Sequence, residues 1–119
     1  MNQKIIKPKV NLEDINFSQN WNNKLSCECF STFRMHNPNK YYVGAIRNIN
    51  LKTKRIKQAI IKSLHTLKLS EVTEGMALID TALTKAEFQL MINTMYKKIV
   101  TNFETQLWDF MILRTLKEE

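Results

Sequence analysis

"KRIKQAIIKSLHTLKL", Lys54 to Leu69, is the stretch whose reading decides the fold. Ile56, Ile60, Leu64 and Leu67 stand at helical spacing. The same residues also fit a strand, with Ile56, Ile60 and Leu64 on one face and Ala59, Ile61, Leu67 and Leu69 on the other. A side-chain period of 3.6 and a period of two both describe this run. Pattern alone favours a helix, because neither glycine nor proline interrupts it.

The segments before it read as strands. In "CECFSTFRM", Cys27 to Met35, Cys27, Cys29, Phe33 and Met35 share one parity, and Glu28, Thr32 and Arg34 share the other. This alternation predicts a strand with one apolar and one mostly polar face, and Phe30 within the polar set implies that this face is partly covered. "HNPNK", His36 to Lys40, is a turn signal. "YYVGAIRNINLKT", Tyr41 to Thr53, is β-rich to Ile49, and Gly44 marks a turn or bulge. Upstream, Ile15 to Phe17 reads as a short strand, and Ser18 can cap a short helix through Trp21 to Leu25.

Helices are predicted after Leu69. Ser70 reads as an N-cap with Glu71 and Glu74 in the acidic first turn of a short helix to about Leu78. Thr84 and Glu87 form a capping box. Phe88, Met91, Ile92, Met95 and Ile99 follow as one apolar stripe, which predicts core packing. The tail carries Trp108, Phe110, Ile112 and Leu116 on one parity, and Leu107, Met111 and Leu113 on the other. Apolar residues on both faces predict a central strand.

The 119 residues make one domain, residues 15–119, behind a polar arm over 1–14. The net charge of +7 is uneven: residues 1–60 hold eleven Lys/Arg against three Asp/Glu, and 61–119 hold seven against eight. A basic first half favours a polyanionic partner. No apolar run is long enough to span a bilayer, and the N-terminus lacks a signal-peptide core. A cytoplasmic protein with no membrane contact is therefore expected, with reduced thiols.

The cysteines, spaced Cys-x-Cys, do not make a metal site. The ligand pool is Cys27, Cys29, His36 and His65, with no second close pair. On a strand, residues i and i+2 lie about 6.5–7 Å apart, at the edge of disulfide range. Two small buried hydrophobes are the better reading. Neither a metal nor a cofactor is expected.

In order, a strand ending Thr32-x-Arg34, a turn, Val43-Gly44 with a strand beyond it, a hairpin, a short helix, "LIDTALTKAEFQLMINTMY" (Leu78 to Tyr96) and a last hydrophobic strand resemble the ASCH domains of the PUA-like superfamily. Asp80-Thr81, Thr84, Glu87-Phe88 and Met95-Tyr96 stand where that family's helical motif has its marked positions. The match runs from about Phe17 to Leu116. The resemblance implies an α+β fold, a small β-barrel with two or three flanking helices. It makes Lys54–Leu69 a strand paired with Tyr41–Leu51 across a turn near Lys52–Arg55.

The resemblance also implies a ligand cleft beside the barrel that binds RNA or nucleotides. Related amidohydrolases deacylate modified cytidines with a lysine three residues before the motif threonine, that threonine, and an acidic residue near the helical segment. Here the threonine is Thr32, the lysine position is Cys29, and Asp80 adjoins the acidic position. Lys24 belongs to another element. A thiol does not replace a lysine amine unless its pKa is depressed. The departure argues for binding over catalysis, with Thr32 and Asp80 the catalytic candidates if the protein is an enzyme.

The reading is thus a nucleic-acid-binding module, for RNA rather than DNA, or a nucleotide-binding one. Its ligand contacts are Thr32, Arg34, Lys40, Arg47, Lys52, Lys54, Arg55 and Lys57. Four cations fall within Lys52–Lys57, beside a hairpin tip. Arg34 shares a face with Thr32, and its guanidinium fork suits phosphate or a base edge. Its structural alternative is a pair with a buried carboxylate such as Asp80. Tyr41, Tyr42 and Trp21 offer stacking surfaces. The alternatives are a small amidohydrolase acting on a modified nucleoside, and an interaction protein of a phage or mobile element.

Overall fold

Lys54–Lys68 is one fifteen-residue strand, β4, in a computed structural model that describes residues 14–117. The strand reading holds because both flanks of the segment find partners. Residues 54–60 pair with β3 (Ile46–Leu51), and residues 59–68 pair with β5 (Leu107–Thr115), both antiparallel. A helix would have satisfied the same backbone groups, but would have left one edge each of β3 and β5 unpaired. Ile56, Ile60, Ile61 and Thr66 are β-branched and suit the pleated surface. Ala59 and Ile61 are fully buried in the sheet interior.

β1 (Asp14–Phe17) runs parallel to β3, and β2 (Cys29–Met35) runs antiparallel to β5. The strand order is β1-β3-β4-β5-β2. Two register shifts bend the long strand: Ile56 is extra opposite Ile49/Asn50, and Lys62 is extra opposite Ile112/Leu113. Each bulge adds local twist, so the sheet curls toward a barrel. The curl leaves a seam between the edge strands β1 and β2. Side chains bridge it: the Arg34 guanidinium lies over the Phe17 ring at 4.5 Å, and Phe17 meets Phe30 edge-on.

The β3–β4 turn is Lys52-Thr53, with φ of 52° and 71°. Two left-handed residues match the right-handed twist of a hairpin, and this role usually falls to Asn-Gly. The predicted β-rich run from Tyr41 is a turn as far as Ala45, with Gly44 at φ 95°, before β3 begins at Ile46.

α1 (Glu74–Thr81) starts later than the sequence suggests. Thr73, not Ser70, is its cap, accepting from Met76 N at 3.0 Å, while Leu69–Glu71 is a single 3-10 turn. α2 (Lys85–Tyr96) opens on the expected capping box: Thr84 Oγ1 accepts from Glu87 N, and Glu87 Oε1 accepts from Thr84 N. Its stripe divides. Phe88 and Ile92 are core, Met95 is exposed, and Ile99 lies beyond the helix.

Two cores flank the sheet. Inside the curl, Ile15, Phe30, Ile49, Ile61, Met111 and Leu113 pack together. Between sheet and helices, Phe33, Val72, Phe88, Ile92, Trp108 and Phe110 form the second. β5 therefore feeds Met111 and Leu113 to one core and Trp108 and Phe110 to the other, as its two-faced pattern predicts. The cysteines depart from expectation: both are free and exposed. β2 begins only at Cys29, which is exposed, and Phe30 supplies the inward anchor instead. The predicted arm lies outside the described residues except for Asp14. Among the described residues, no helix is long and apolar enough to cross a membrane.

Candidate functional site at the barrel seam

A cleft opens where the seam meets the helices. β1 contributes Asn16 and Phe17, β2 contributes Thr32 and Arg34, α1 contributes Asp80, and α2 contributes Met91, Met95 and Tyr96. The Trp21–Ser26 turn completes the wall with Trp21 and Lys24. The interior is small, about 80 Å³.

Lys24 is the residue that sequence reasoning set aside. It does sit on another element, the 3-10 turn before β2, yet its side chain reaches the cleft. Asn22 and Asn23 are left-handed, at φ 58° and 52°, a conformation asparagine tolerates. This double twist redirects the chain so that Lys24 faces inward. Asn22 Nδ2 holds the turn by donating to the Leu78 and Ile79 carbonyls at 3.2 Å, near the end of α1. Asn20 Oδ1 accepts from Leu25 N. Lys24 Nζ then donates to Asp80 Oδ1 at 2.8 Å, and both residues are buried. A lysine amine therefore enters the cleft from the turn before β2, while the β2 position Cys29 is exposed. The signal was the Asn-Asn dipeptide, whose turn places Lys24 only in three dimensions.

Ser31 Oγ also donates to Asp80 Oδ1, at 2.7 Å. Thr32 is buried, and its Oγ1 accepts from Arg34 Nε at 2.8 Å. Arg34 therefore does not pair with Asp80: it spans the seam between Thr32 and the Phe17 face. Burial holds the Lys24 pKa below the usual lysine range, Asp80 opposes that shift by charge and hydrogen bond, and Arg34 adds a smaller push downward. The site thus combines an amine that loses its proton more readily than a surface lysine, a carboxylate that orients it, and a hydroxyl under a guanidinium.

The other predicted contacts separate. Arg47 is buried and committed to backbone, donating to the Lys40 and Ile46 carbonyls. Lys57 Nζ donates to the Leu25 and Cys27 carbonyls and lies over the Phe30 ring. Both therefore brace the fold. Lys52, Lys54 and Arg55 are exposed around the β3–β4 turn, and Lys52 faces a shallow groove that also includes Asn16 and Phe17 from the seam. Lys40 is half-buried, on the far side of Arg34 from the cleft interior. Of the stacking candidates, Trp21 lines the cleft, Tyr41 is core, and Tyr42 is exposed beneath Arg47. Met91 and Tyr96 pack against the helix-side core as the stripe and motif predict, and with the exposed Met95 they also wall the cleft. Among the described residues, no three His, Cys, Asp or Glu side chains gather as metal ligands.

No family model matches the sequence, and no curated protein matches it. A solved structure does: the crystal structure of an ASCH domain from Lactobacillus crispatus JV V101. The two are 15% identical, with a TM-score of 0.63 over 86% of this chain and 77% of that one. The shared feature is the curled five-stranded α+β architecture with its flanking helices, and the chain has the ASCH-type fold.

Proposed function

We propose that the seam cleft binds a nucleoside carrying an acylated exocyclic amine and hydrolyses that amide. One observation carries the reading: a buried lysine–aspartate pair, 2.8 Å apart, shares a cleft with a buried threonine hydroxyl. These are the residue types that the resembling amidohydrolases use. Lys24, with its ammonium form disfavoured by burial, takes the proton of the attacking hydroxyl and returns it to the departing amine. Asp80 orients Lys24, and Arg34 stabilises charge on the Thr32 oxygen or on the oxygen of the attacked carbonyl. The attacking hydroxyl is that of Thr32: its oxygen bonds to the acyl carbon, the C–N bond breaks and the free base amine leaves, and one water then hydrolyses the Thr32 ester, releasing carboxylate and restoring the hydroxyl. An interior of about 80 Å³ suits the acyl amide and a base edge, with the sugar outside. The test is carboxylate release from N4-acylcytidine, with loss of turnover in Thr32→Ala. Protein that leaves the substrate intact would overturn the reading.

A second reading, an RNA-binding module without chemistry, is supported by the exposed cations Lys52, Lys54 and Arg55 at the hairpin tip. It requires steep loss of RNA affinity as salt rises, and weaker binding when these three become alanine.

A further inference from the structure

A second cleft adjoins the first. It is lined by Arg34, His36, Lys40, Tyr41 and Tyr96, and it shares Arg34 and Tyr96 with the Lys24 cleft. By sequence His36 opens a turn and belongs to an incomplete set of metal ligands. The structure fixes it from behind: His36 Nδ1 lies 2.9 Å from Oδ1 of Asp109, which is fully buried. That carboxylate is itself held by Thr66 Oγ1 at 2.7 Å and by the Asn37 amide at 3.2 Å. A buried carboxylate with three donors does not swing, so the ring orientation is set. Nε2 lies on the opposite side of the ring from Asp109.

The charge here is unbalanced. Arg34 and Lys40 are close enough that Arg34 helps push the Lys40 pKa down, after burial and with Arg47 adding to it. Asp14 opposes the shift, but its carboxylate is engaged by Asn48 Nδ2. Among the described residues neither Arg34 nor Lys40 makes a salt bridge. Arg34 Nε is taken by Thr32 and the guanidinium lies over Phe17, while its terminal nitrogens make no hydrogen bond among the described residues. With Asp109 paired to His36 and Asp14 engaged by Asn48, neither Arg34 nor Lys40 has a directly paired carboxylate, and such crowded cations favour a bound anion. The cleft is also wider than its neighbour, about 380 Å³.

We infer that Arg34, His36 and Lys40 form a phosphate subsite, so that the molecule whose base edge enters the Lys24 cleft is a nucleotide rather than a free nucleoside. This rests on the reading of the Lys24 cleft as a nucleoside site, and it names the phosphorylated substrate class. The phosphate belongs either to a mononucleotide or to the backbone of a single-stranded RNA. Arg34 couples the two clefts, because one side chain touches the threonine of the first and the anion of the second.

The experiment measures binding, so it does not depend on catalysis. Cytidine, cytidine 5′-monophosphate, a four-nucleotide oligocytidylate without terminal phosphate, and inorganic phosphate are titrated into the full chain by NMR. Charge-assisted hydrogen bonds predict roughly tenfold or more tighter binding of the phosphorylated ligands than of cytidine. Lys40→Ala and His36→Gln should each erase most of that gain and leave the affinity for cytidine unchanged. A monoester site favours the mononucleotide and responds to inorganic phosphate at His36 and Tyr41, whereas a backbone site favours the oligonucleotide. Equal affinity for cytidine and both phosphorylated ligands, or a gain that survives both substitutions, would overturn the subsite. Failure of deacylation with the phosphate preference intact would overturn only the hydrolytic reading.

Discussion

Asp80→Asn probes the heart of the site. Asparagine has nearly the volume of aspartate, and its carbonyl can still accept from Ser31 and Lys24, so the change removes charge more than contacts. It leaves the Lys24 ammonium buried without a counter-charge. Breaking a buried pair in this way costs about 3–5 kcal/mol. Two features of the structure reduce the figure: the retained hydrogen bonds, and the ability of Lys24 to shed its proton, since burial already lowers its pKa. A loss of about 2–4 kcal/mol is expected, against a total stability of order 5–15 kcal/mol for a domain of this size. Lys24→Met should cost a similar amount, because it strands Asp80 instead. The double variant removes both charges, and it should be destabilised by at least about 2 kcal/mol less than the sum of the singles. Urea unfolding of the four proteins completes the cycle. Additivity to within about 0.5 kcal/mol would mean that the two side chains do not interact, and the description of the site would fail.

Lys24 should titrate below the usual lysine range when followed by NMR, and lower still in Asp80→Asn, where the opposing charge is gone. The unfolded chain then binds more protons than the folded one between the two pKa values, so this group's contribution to stability rises with pH across that window. A midpoint at or above that of a free lysine would contradict the burial argument. Thr53→Gly should stabilise the hairpin by roughly 1 kcal/mol, because a β-branched residue is held at φ 71°. Unchanged or lowered stability in thermal unfolding would count against strain at that turn. Ala82, which ends α1 at φ 67°, should give a similar gain when changed to glycine. Arg47→Ala should destabilise the fold by about 1–3 kcal/mol through the lost bonds to the Lys40 and Ile46 carbonyls.

Local signals carried well where the interaction was local. The Thr84–Glu87 box and the two-faced pattern of β5 both reappear in the fold. β4 was harder, because residues four apart share a face of a helix and also share a face of a strand. Pairing with β3 and β5 resolved it, and the sequence pointed there only through the order of its motifs. Cys27 and Cys29 misled because alternation gives a side chain's direction but not whether another element covers it. Lys24 was hidden for a related reason: its place follows from the Asn22-Asn23 turn and its docking on α1, both long-range effects. Arg47 and Lys57 resembled ligand contacts by charge, but carbonyls on neighbouring segments claim them.

The most direct test of the account is turnover of N4-acylcytidine by the wild-type chain and by Lys24→Met, with both shown folded by their unfolding curves. The wild type should release carboxylate and cytidine stoichiometrically, and loss of the amine should slow the rate at least about a hundredfold. Hydrolysis that survives Lys24→Met, or a wild type that releases nothing, would contradict it.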